Sequence, residues 1–325
     1  MDLIEASRNG ELEKVRELLK KGVDPNSVGS IDNPHIMAMV NLLDKTTPLI
    51  EASKNGHTEV VRLLLGKGAD PNKLASFTDN PPIIFACENG HIPVVQLLLE
   101  RGANPNSTSK HNEPLICVAA SHGHLEIVKA LVERGVSVES GRHVVLYKTP
   151  LMFAIENEHE NVVRYLLEKG SNVQHKTIYG DTPLLMAANK ENLNIFEMIH
   201  MRGADPKIKN RMGFDTLILA VFNLNTDIIE YLLYNNIYNH DDVERVKQLV
   251  VRYTTEEPEY RNQIYEVLDK ANAKAQTLAT TKLLRNKMAH LSHETLEELI
   301  GSMKGGRRNT KKRHRKKTNT RKSRR

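Results

Sequence analysis

Apolar and polar residues recur along most of the chain in a pattern that favours pairs of short helices. Residues 60–65 read Val-Val-Arg-Leu-Leu-Leu and place an aliphatic stripe along one helix. A shorter helical segment precedes the aliphatic one in each unit. In the unit around residue 150, Leu151, Ala154 and Ile155 of this shorter segment fall on one helical face. Pro150 stands where such a helix begins, and proline is tolerated in the first turn because its missing N–H has no partner there. The pattern therefore predicts helix–turn–helix units.

These units repeat at a nearly constant interval. Residues 3–10 are almost a copy of residues 49–56. The residue that follows the turn in each copy stands at Glu11, His57, His91, His124, His159, Asn192 and Asn225. The intervals between them are 46, 34, 33, 35, 33 and 33 residues. A period of this kind indicates a repeat array, in which each unit buries its apolar face against its neighbours.

The repeated sequence motifs resemble those of the ankyrin repeat. They are Thr-Pro-Leu at 149–151, the Gly-His turn at 56–57, and Gly-Ala-Asp-Pro-Asn at 68–72. The resemblance covers roughly residues 1–239 and implies seven repeats. No copy carries the His of the family's Thr-Pro-Leu-His, and Glu158 and Glu191 replace the turn glycine. We interpret these departures as reduced stability toward the carboxyl end.

The resemblance implies an all-α ankyrin-repeat solenoid of stacked helix-turn-helix units with projecting β-hairpin fingers and a helical C-terminal cap. The expected domains are residues 1–239, 240–303 and 304–325. The long first interval places an insertion near residues 27–46, in which residues 36–43 are predicted to form a short helix. A second extension lies around residues 139–148.

Ankyrin proteins bind other proteins on a concave wall, so the resemblance implies a non-enzymatic interaction scaffold and a protein partner. The candidate residues on the first helices, just before each turn, are Lys54, Asn55, Glu88, Asn89, Ser121, His122, Glu156, Asn157, Asn189 and Lys190. The candidates on the fingers are Lys110, His111, Arg142, His143, Tyr147, His175, Tyr179, Arg211 and Met212. Arg142, Tyr147 and Tyr179 are the first choices, because Tyr and Arg are favoured as interface anchors.

Residues 240–303 lose the period but keep a helical pattern. Helices are predicted from 241, from Glu257-Pro258, over 271–288 and after Ser292, and together they would cap the last repeat. An alternative comes from residues 291–300, which resemble the first helix of an F-box and imply a ubiquitin-ligase substrate adaptor. Ser292 stands where that motif has proline, and Gly301 follows at once.

Charge is divided unequally along the chain. The chain has 46 Lys and Arg against 40 Asp and Glu, but residues 304–325 alone hold 13 basic and no acidic residues. The tail also contains no apolar residue, so it cannot bury surface and is expected to be disordered. The basic residues taken as a candidate site are Arg307, Arg308, Lys311, Lys312, Arg313, Arg315, Lys316 and Lys317.

Three functions fit this tail. It could bind nucleic acid through phosphate contacts, act as a nuclear-import signal, or pair with an acidic partner or membrane. The alternative to a plain scaffold is therefore a nucleic-acid-tethered nuclear or virion protein. Gly305-Gly306 followed by Lys, Arg, Thr and Asn also resembles tails on proteins of giant DNA viruses.

The sequence contains no pattern typical of catalysis. His159-Glu160 lacks a second histidine four residues after the first, and no glycine-rich phosphate loop occurs. Cys87 and Cys117 are expected to be small buried residues. We expect no enzyme activity, metal or cofactor. The first five residues lack a secretory pattern and no apolar run reaches the ~20 residues of a membrane span. The expected protein is a monomer of the cytoplasm or nucleus.

Overall fold

The computed structural model describes residues 2–30, 45–74, 79–141, 146–254 and 257–289. These residues form sixteen helices and one antiparallel pair of two-residue strands. The chain divides into two compact units, Met1–Ile229 and Glu230–Arg325. The predicted all-α solenoid is confirmed.

Helices in the described part of the first 234 residues follow one another as pairs separated by short turns. The pairs are α1 (Leu3–Arg8) and α2 (Leu12–Lys20), α3 (Pro48–Lys54) and α4 (Thr58–Gly66), α5 (Pro82–Glu88) and α6 (Ile92–Glu100), α7 (Leu115–Ser121) and α8 (Leu125–Glu133), α9 (Pro150–Glu156) and α10 (Glu160–Glu168), α11 (Pro183–Ala188) and α12 (Leu193–His200), and α13 (Thr216–Phe222) and α14 (Thr226–Tyr234).

Threonine and proline start several of the first helices together. Thr149 has an extended backbone, and its hydroxyl accepts a hydrogen bond from the N–H of Met152 at 3.4 Å. Pro150 then occupies the first helical position, where no N–H is needed. Thr47 and Thr182 cap α3 and α11 in the same way. The Thr-Pro motif therefore determines where a helix begins.

Each first helix packs on the first helix of the next pair. α1 contacts α3, and the series continues through α5, α7, α9 and α11 to α13. Second helices contact one another from α2 to α12. Ala52, Ala86 and Ala187 are completely buried and let the helices approach closely. The core therefore runs along the stack, as expected of units that cannot bury their apolar faces alone.

A histidine after the turn packs against the turn glycine of the preceding pair. A Cβ placed on Gly56 would lie 2.6 Å from Nδ1 of His91. The His91 ring is fixed by Nε2, which donates to the Lys54 carbonyl at 3.1 Å. The same glycine contact joins Gly10 to His57, Gly90 to His124, and Gly123 to His159. The Gly-His phrase is therefore a contact between neighbouring repeats as well as a local turn.

The fingers between the pairs contain little strand structure in the described residues. β1 (Gly29–Ser30) and β2 (Lys45–Thr46) form a two-residue ladder, and Thr108 and Pro114 form an isolated bridge. In the described parts of the fingers, turns therefore predominate over the predicted β-hairpin pairing. Asn, Asp and Thr side chains bond nearby backbone groups there and offer an alternative to strand pairing.

Asparagine side chains join consecutive fingers. Nδ2 of Asn72 donates to the Gly102 carbonyl at 3.0 Å, and Oδ1 accepts from the N–H of Asn104 at 2.9 Å. Asn26 makes the equivalent pair of bonds to Gly68 and Asp70, each at 2.8 Å. One amide thus satisfies a donor and an acceptor on the next repeat.

Replacing Asn72 by alanine should therefore destabilise the first unit by about 1–2 kcal/mol, because two inter-repeat hydrogen bonds are lost. Urea unfolding followed by circular dichroism measures the change. Asn106 occupies the same place in the next finger, and its side chain makes no such bridge within the described residues. Equal losses from Asn72→Ala and Asn106→Ala would contradict this role.

The second unit contains α15 (His240–Tyr253) and α16 (Pro258–Ala289). They pack through apolar residues that include Val246, Val250 and Ile264, all completely buried. The helices predicted after Glu257 and over 271–288 are wrong as separate elements, because α16 is continuous over 32 residues. No glycine and no internal proline interrupts this segment.

Several predicted features lie outside the described residues. They are the helix at 36–43, the segment after Ser292 with its F-box resemblance, and the tail from 304 to 325.

Candidate functional site

The candidate residues just before each turn have local structural partners. Asn55, Asn89 and Asn157 follow their first helices, and each side chain donates to the carbonyl four residues earlier, at 2.8, 2.8 and 3.0 Å. His122 does the same through Nδ1, 2.9 Å from the Val118 carbonyl. These side chains close the carboxyl ends of their helices, a role that the sequence interpretation did not give them.

The charged candidates Lys54 and Glu156 lie near aromatic rings of the first helices. Nζ of Lys54 is 6.0 Å from the centre of the Phe85 ring. Lys148 lies 5.6 Å over the Phe153 ring and pairs with Glu156 at 2.7 Å. Two such cation–aromatic contacts show that the lysines of this face are already positioned by neighbours.

Glu88 lies half-buried on this face. Burial raises the pKa of its carboxyl, while the charges of His122, Lys110 and Lys54 act in the opposite direction. The structure therefore brings together candidates from three repeats around one carboxylate. Ser121 and Lys190 lie at equivalent edges, and both are partly exposed.

Sequence reasoning missed a row of apolar residues on the first helices. Phe85, Phe153, Met186 and Leu219 occupy the same position in their repeats and are each half-buried. Val118 holds this position in the repeat between Phe85 and Phe153 and is buried. Alignment of the repeats could have found them, because the position tolerates a charged residue, Glu51, in an earlier copy. A position that accepts a charge is not part of the core in every repeat. An apolar residue that remains partly exposed in a stacked helix is a candidate contact for another protein.

A second cluster lies on the tips of the fingers. Tyr147, Tyr179 and Met212 have 48 %, 59 % and 68 % of their surface exposed. Together with His175 and Arg211 they form what we call the fingertip patch. Tyr147, Tyr179 and Arg211 were predicted as partner-binding residues, and the structure places all three on consecutive fingers.

Hydrogen bonds between fingers connect the members of the fingertip patch. Nε2 of His175 donates to the Tyr147 carbonyl at 2.7 Å. The N–H of Arg211 donates to the Tyr179 carbonyl at 2.9 Å. Tyr147 also has a positive φ of 55°, an uncommon backbone conformation for a non-glycine residue. Arg142 and His143 lie outside the described residues, and Lys110 and His111 belong to an earlier finger.

The tips that carry Tyr179 and Met212 are each closed by one polar side chain. The Thr177 hydroxyl accepts from the N–H groups of Tyr179 and Asp181, at 3.3 and 3.1 Å. Oδ1 of Asn210 accepts from Met212 and Phe214, both at 3.0 Å. The exposed side chains therefore stand on backbone that is held in place before any partner arrives, which lowers the entropic cost of binding.

Family comparison agrees with this architecture. Models of ankyrin repeats match residues 3–109 and 106–177, and a further ankyrin-repeat model matches residues 166–220. The chain is a member of the ankyrin repeat family. The crystal structure of the human ASB11 ankyrin repeat domain is similar, with a TM-score of 0.58 and 29 % identity, covering 68 % of this chain and 91 % of that one.

Comparison with curated proteins gives no match. Ankyrin repeats are protein–protein interaction modules and generally serve as non-enzymatic scaffolds. The identified family therefore supports a protein as the partner of this chain.

The described residues of this ankyrin protein offer no grouping of three or more His, Cys, Asp and Glu side chains suited to a metal ion. Cys87 and Cys117 are buried as expected, and burial raises the pKa of both thiols, which disfavours the reactive thiolate. Among the helices described, none is long and apolar enough to cross a membrane.

Proposed function

We propose that this ankyrin protein is a scaffold that binds a partner protein through the fingertip patch and the adjoining face of the first helices. The observation that carries the proposal is the exposure of Tyr147, Tyr179 and Met212 on hydrogen-bonded fingers. Large aromatic side chains such as Tyr147 and Tyr179 provide much of the binding energy in protein interfaces.

The first-helix face would extend this contact. Its candidates are Lys54, Asn55, Glu88, Asn89, Ser121, His122, Glu156, Asn157 and Lys190. The half-buried apolar residues Phe85, Phe153, Met186 and Leu219 also lie on first helices. A partner that reaches from the fingers to these residues would bury charged and apolar groups together, as interfaces commonly do.

Replacing both Tyr179 and Met212 by alanine should weaken binding of a captured protein partner about tenfold or more. Affinity capture identifies the partner, and titration of the purified pair measures the change. Leu74→Ala with Met201→Ala is the matched control, because both residues are exposed but lie outside the patch. Unchanged affinity in the fingertip variant would remove the patch from the function.

The basic tail suggests a second role, for which the 13 Lys and Arg residues at 304–325 are the supporting observation. We propose that it directs the protein to the nucleus or anchors it on nucleic acid or an acidic partner. Affinity capture with full-length protein and residues 1–303 separates the roles. A partner retained by both belongs to the repeats, whereas one that nuclease or high salt removes from full-length protein belongs to the tail.

A further inference from the structure

We propose that the fingertip patch recognises an acidic segment of the partner protein, with apolar side chains of that segment packed on Tyr179 and Met212. This inference rests on the proposed function, and it specifies the chemistry of the bound segment. The charged residues around the patch and their bonding partners support it.

Unpaired cations flank the exposed aromatic residue and methionine. Lys176 lies three residues before Tyr179, and Lys209 and Arg211 share the finger of Met212. All three side chains are exposed, and within the described residues none forms an ion pair. Some helical lysines of this protein pair with a carboxylate three or four residues away, as Lys129 does with Glu126 at 2.7 Å. The cations on these fingers instead face solvent without such partners.

The carboxylates of the same fingers are occupied by local bonds. Oδ1 of Asp181 accepts from the Asn210 amide at 2.9 Å, which joins the two fingers. Oδ1 of Asp205 accepts from the N–H of Lys207 at 2.9 Å inside a turn. Asp215 is buried and caps α13. Within the described residues none of these carboxylates forms an ion pair with Lys176, Lys209 or Arg211, so these cations remain available to a bound carboxylate.

This charge contrasts with the rest of the repeats. Residues 1–303 contain fewer basic than acidic residues once the tail is set aside. In an earlier finger, Lys73 donates to the Asn26 carbonyl at 2.8 Å and is part-buried. The cations around Tyr179 and Met212 thus differ from Lys73, which already has a partner in its own part of the chain. The chain's own tail is strongly basic and would be repelled, so a separate acidic segment is the occupant that complements the site.

Apolar contact and charge would act together in this recognition. Tyr179 and Met212 provide surface for aliphatic or aromatic side chains, while Lys176, Lys209 and Arg211 attract carboxylates around them. Arg can also bind a carboxylate with two hydrogen bonds, which adds orientation. Opposite charges at the rim chiefly increase the association rate and the selectivity for acidic sequences.

Peptide selection on the full-length protein tests this inference. A phage library of random dodecapeptides is selected on the wild type and, in parallel, on two variants that keep the tail. One variant carries Tyr179→Ala and Met212→Ala, and the other carries Lys176→Glu, Lys209→Glu and Arg211→Glu. Peptides retained equally by all three proteins bind elsewhere, including on the tail, and are removed from the comparison.

We expect the remaining peptides to be rich in Asp and Glu around one or two apolar residues. A fluorescein-labelled copy should bind the charge-reversed variant at least about tenfold more weakly, and wild-type binding should fall as salt rises. Circular dichroism spectra verify that both variants stay folded. Patch-dependent peptides that are neutral or basic would overturn the acidic specificity but keep the proposed function. Absence of any patch-dependent peptide would count against the fingertip site itself.

Discussion

Replacing Gly56 by alanine is expected to destabilise the repeats by about 3 kcal/mol. Two costs add. Gly56 has a φ of 76°, a left-handed conformation that a Cβ disfavours. The new Cβ would also lie 2.6 Å from the ring of His91, which must move and lose its hydrogen bond to Lys54. Urea unfolding measures the change in free energy.

Gly102→Ala is the matched control for this expectation. Gly102 has a φ of 88°, but a Cβ there meets nothing within 4 Å. Its substitution should therefore cost only about 1 kcal/mol, the backbone part alone. Adding His91→Ala to Gly56→Ala should recover the steric part, which a double-mutant cycle isolates. Equal losses at Gly56 and Gly102 would show that the histidine ring is not the cause.

Short sequence motifs predicted the helices well, because each motif determines the backbone conformation of only a few residues. Thr149 and Pro150 start α9 where the sequence indicates, and Gly68 follows α4 with a φ of 87°. These features depend on backbone geometry that one or two residues determine. The sequence alone could therefore place most of the paired helices.

Contacts between repeats were harder to predict than the repeats themselves. The Gly-His motif was visible in the sequence. Its histidine, however, packs on the turn glycine of the preceding repeat, and the periodicity of the sequence does not reveal that contact. Asn55 and Asn89 were candidates for partner binding because they precede a turn, yet both amides bond their own helices. A polar residue near a turn does not show by its type whether its partner is local or another protein.

The candidate site was predicted in part for the same reason. Tyr147 and Tyr179 were chosen because such residues anchor interfaces, and both are exposed on the fingers. The bonds that hold these fingers together join residues about one period apart, such as Arg211 and Tyr179. Met186 and Leu219 were missed because partly exposed apolar residues look like core residues in a sequence.

Three repeats lack the turn glycine, which is replaced by Glu158, Glu191 and Leu224. For the first two, the residue that would contact the turn on the next repeat changes as well. Glu158 stands where Gly123 stands in the preceding repeat and keeps a positive φ of 58°. The residue that would pack on it is Asn192 rather than histidine. Asn192 is smaller, and its amide donates to Glu160 at 3.0 Å. Glu191 and Asn225 show the same combination, so a side chain at the turn coincides with a smaller residue on the next repeat.

This pairing predicts that Asn192→His will destabilise the protein by about 2–3 kcal/mol, because the ring would meet the Cβ of Glu158 and the Asn192 hydrogen bonds would be lost. Adding Glu158→Gly should recover much of the loss, since it opens the space that Gly123 gives His159 and also relieves the positive φ of Glu158. Urea unfolding of the two single variants and the double variant measures the interaction energy.

Asn112→Gly serves as the comparison for this cycle. It removes a side chain from another left-handed residue, with a φ of 60°, in the finger of residues 103–113. Combined with Asn192→His it should give additive effects, because Asn112 and Asn192 do not belong to adjacent repeats. An additive result for Glu158→Gly as well would mean that the turn and the next repeat do not constrain each other. A strong positive interaction would instead show that each turn residue limits the size of its neighbour one period later, so that the degenerate repeats retain a stacking rule of their own.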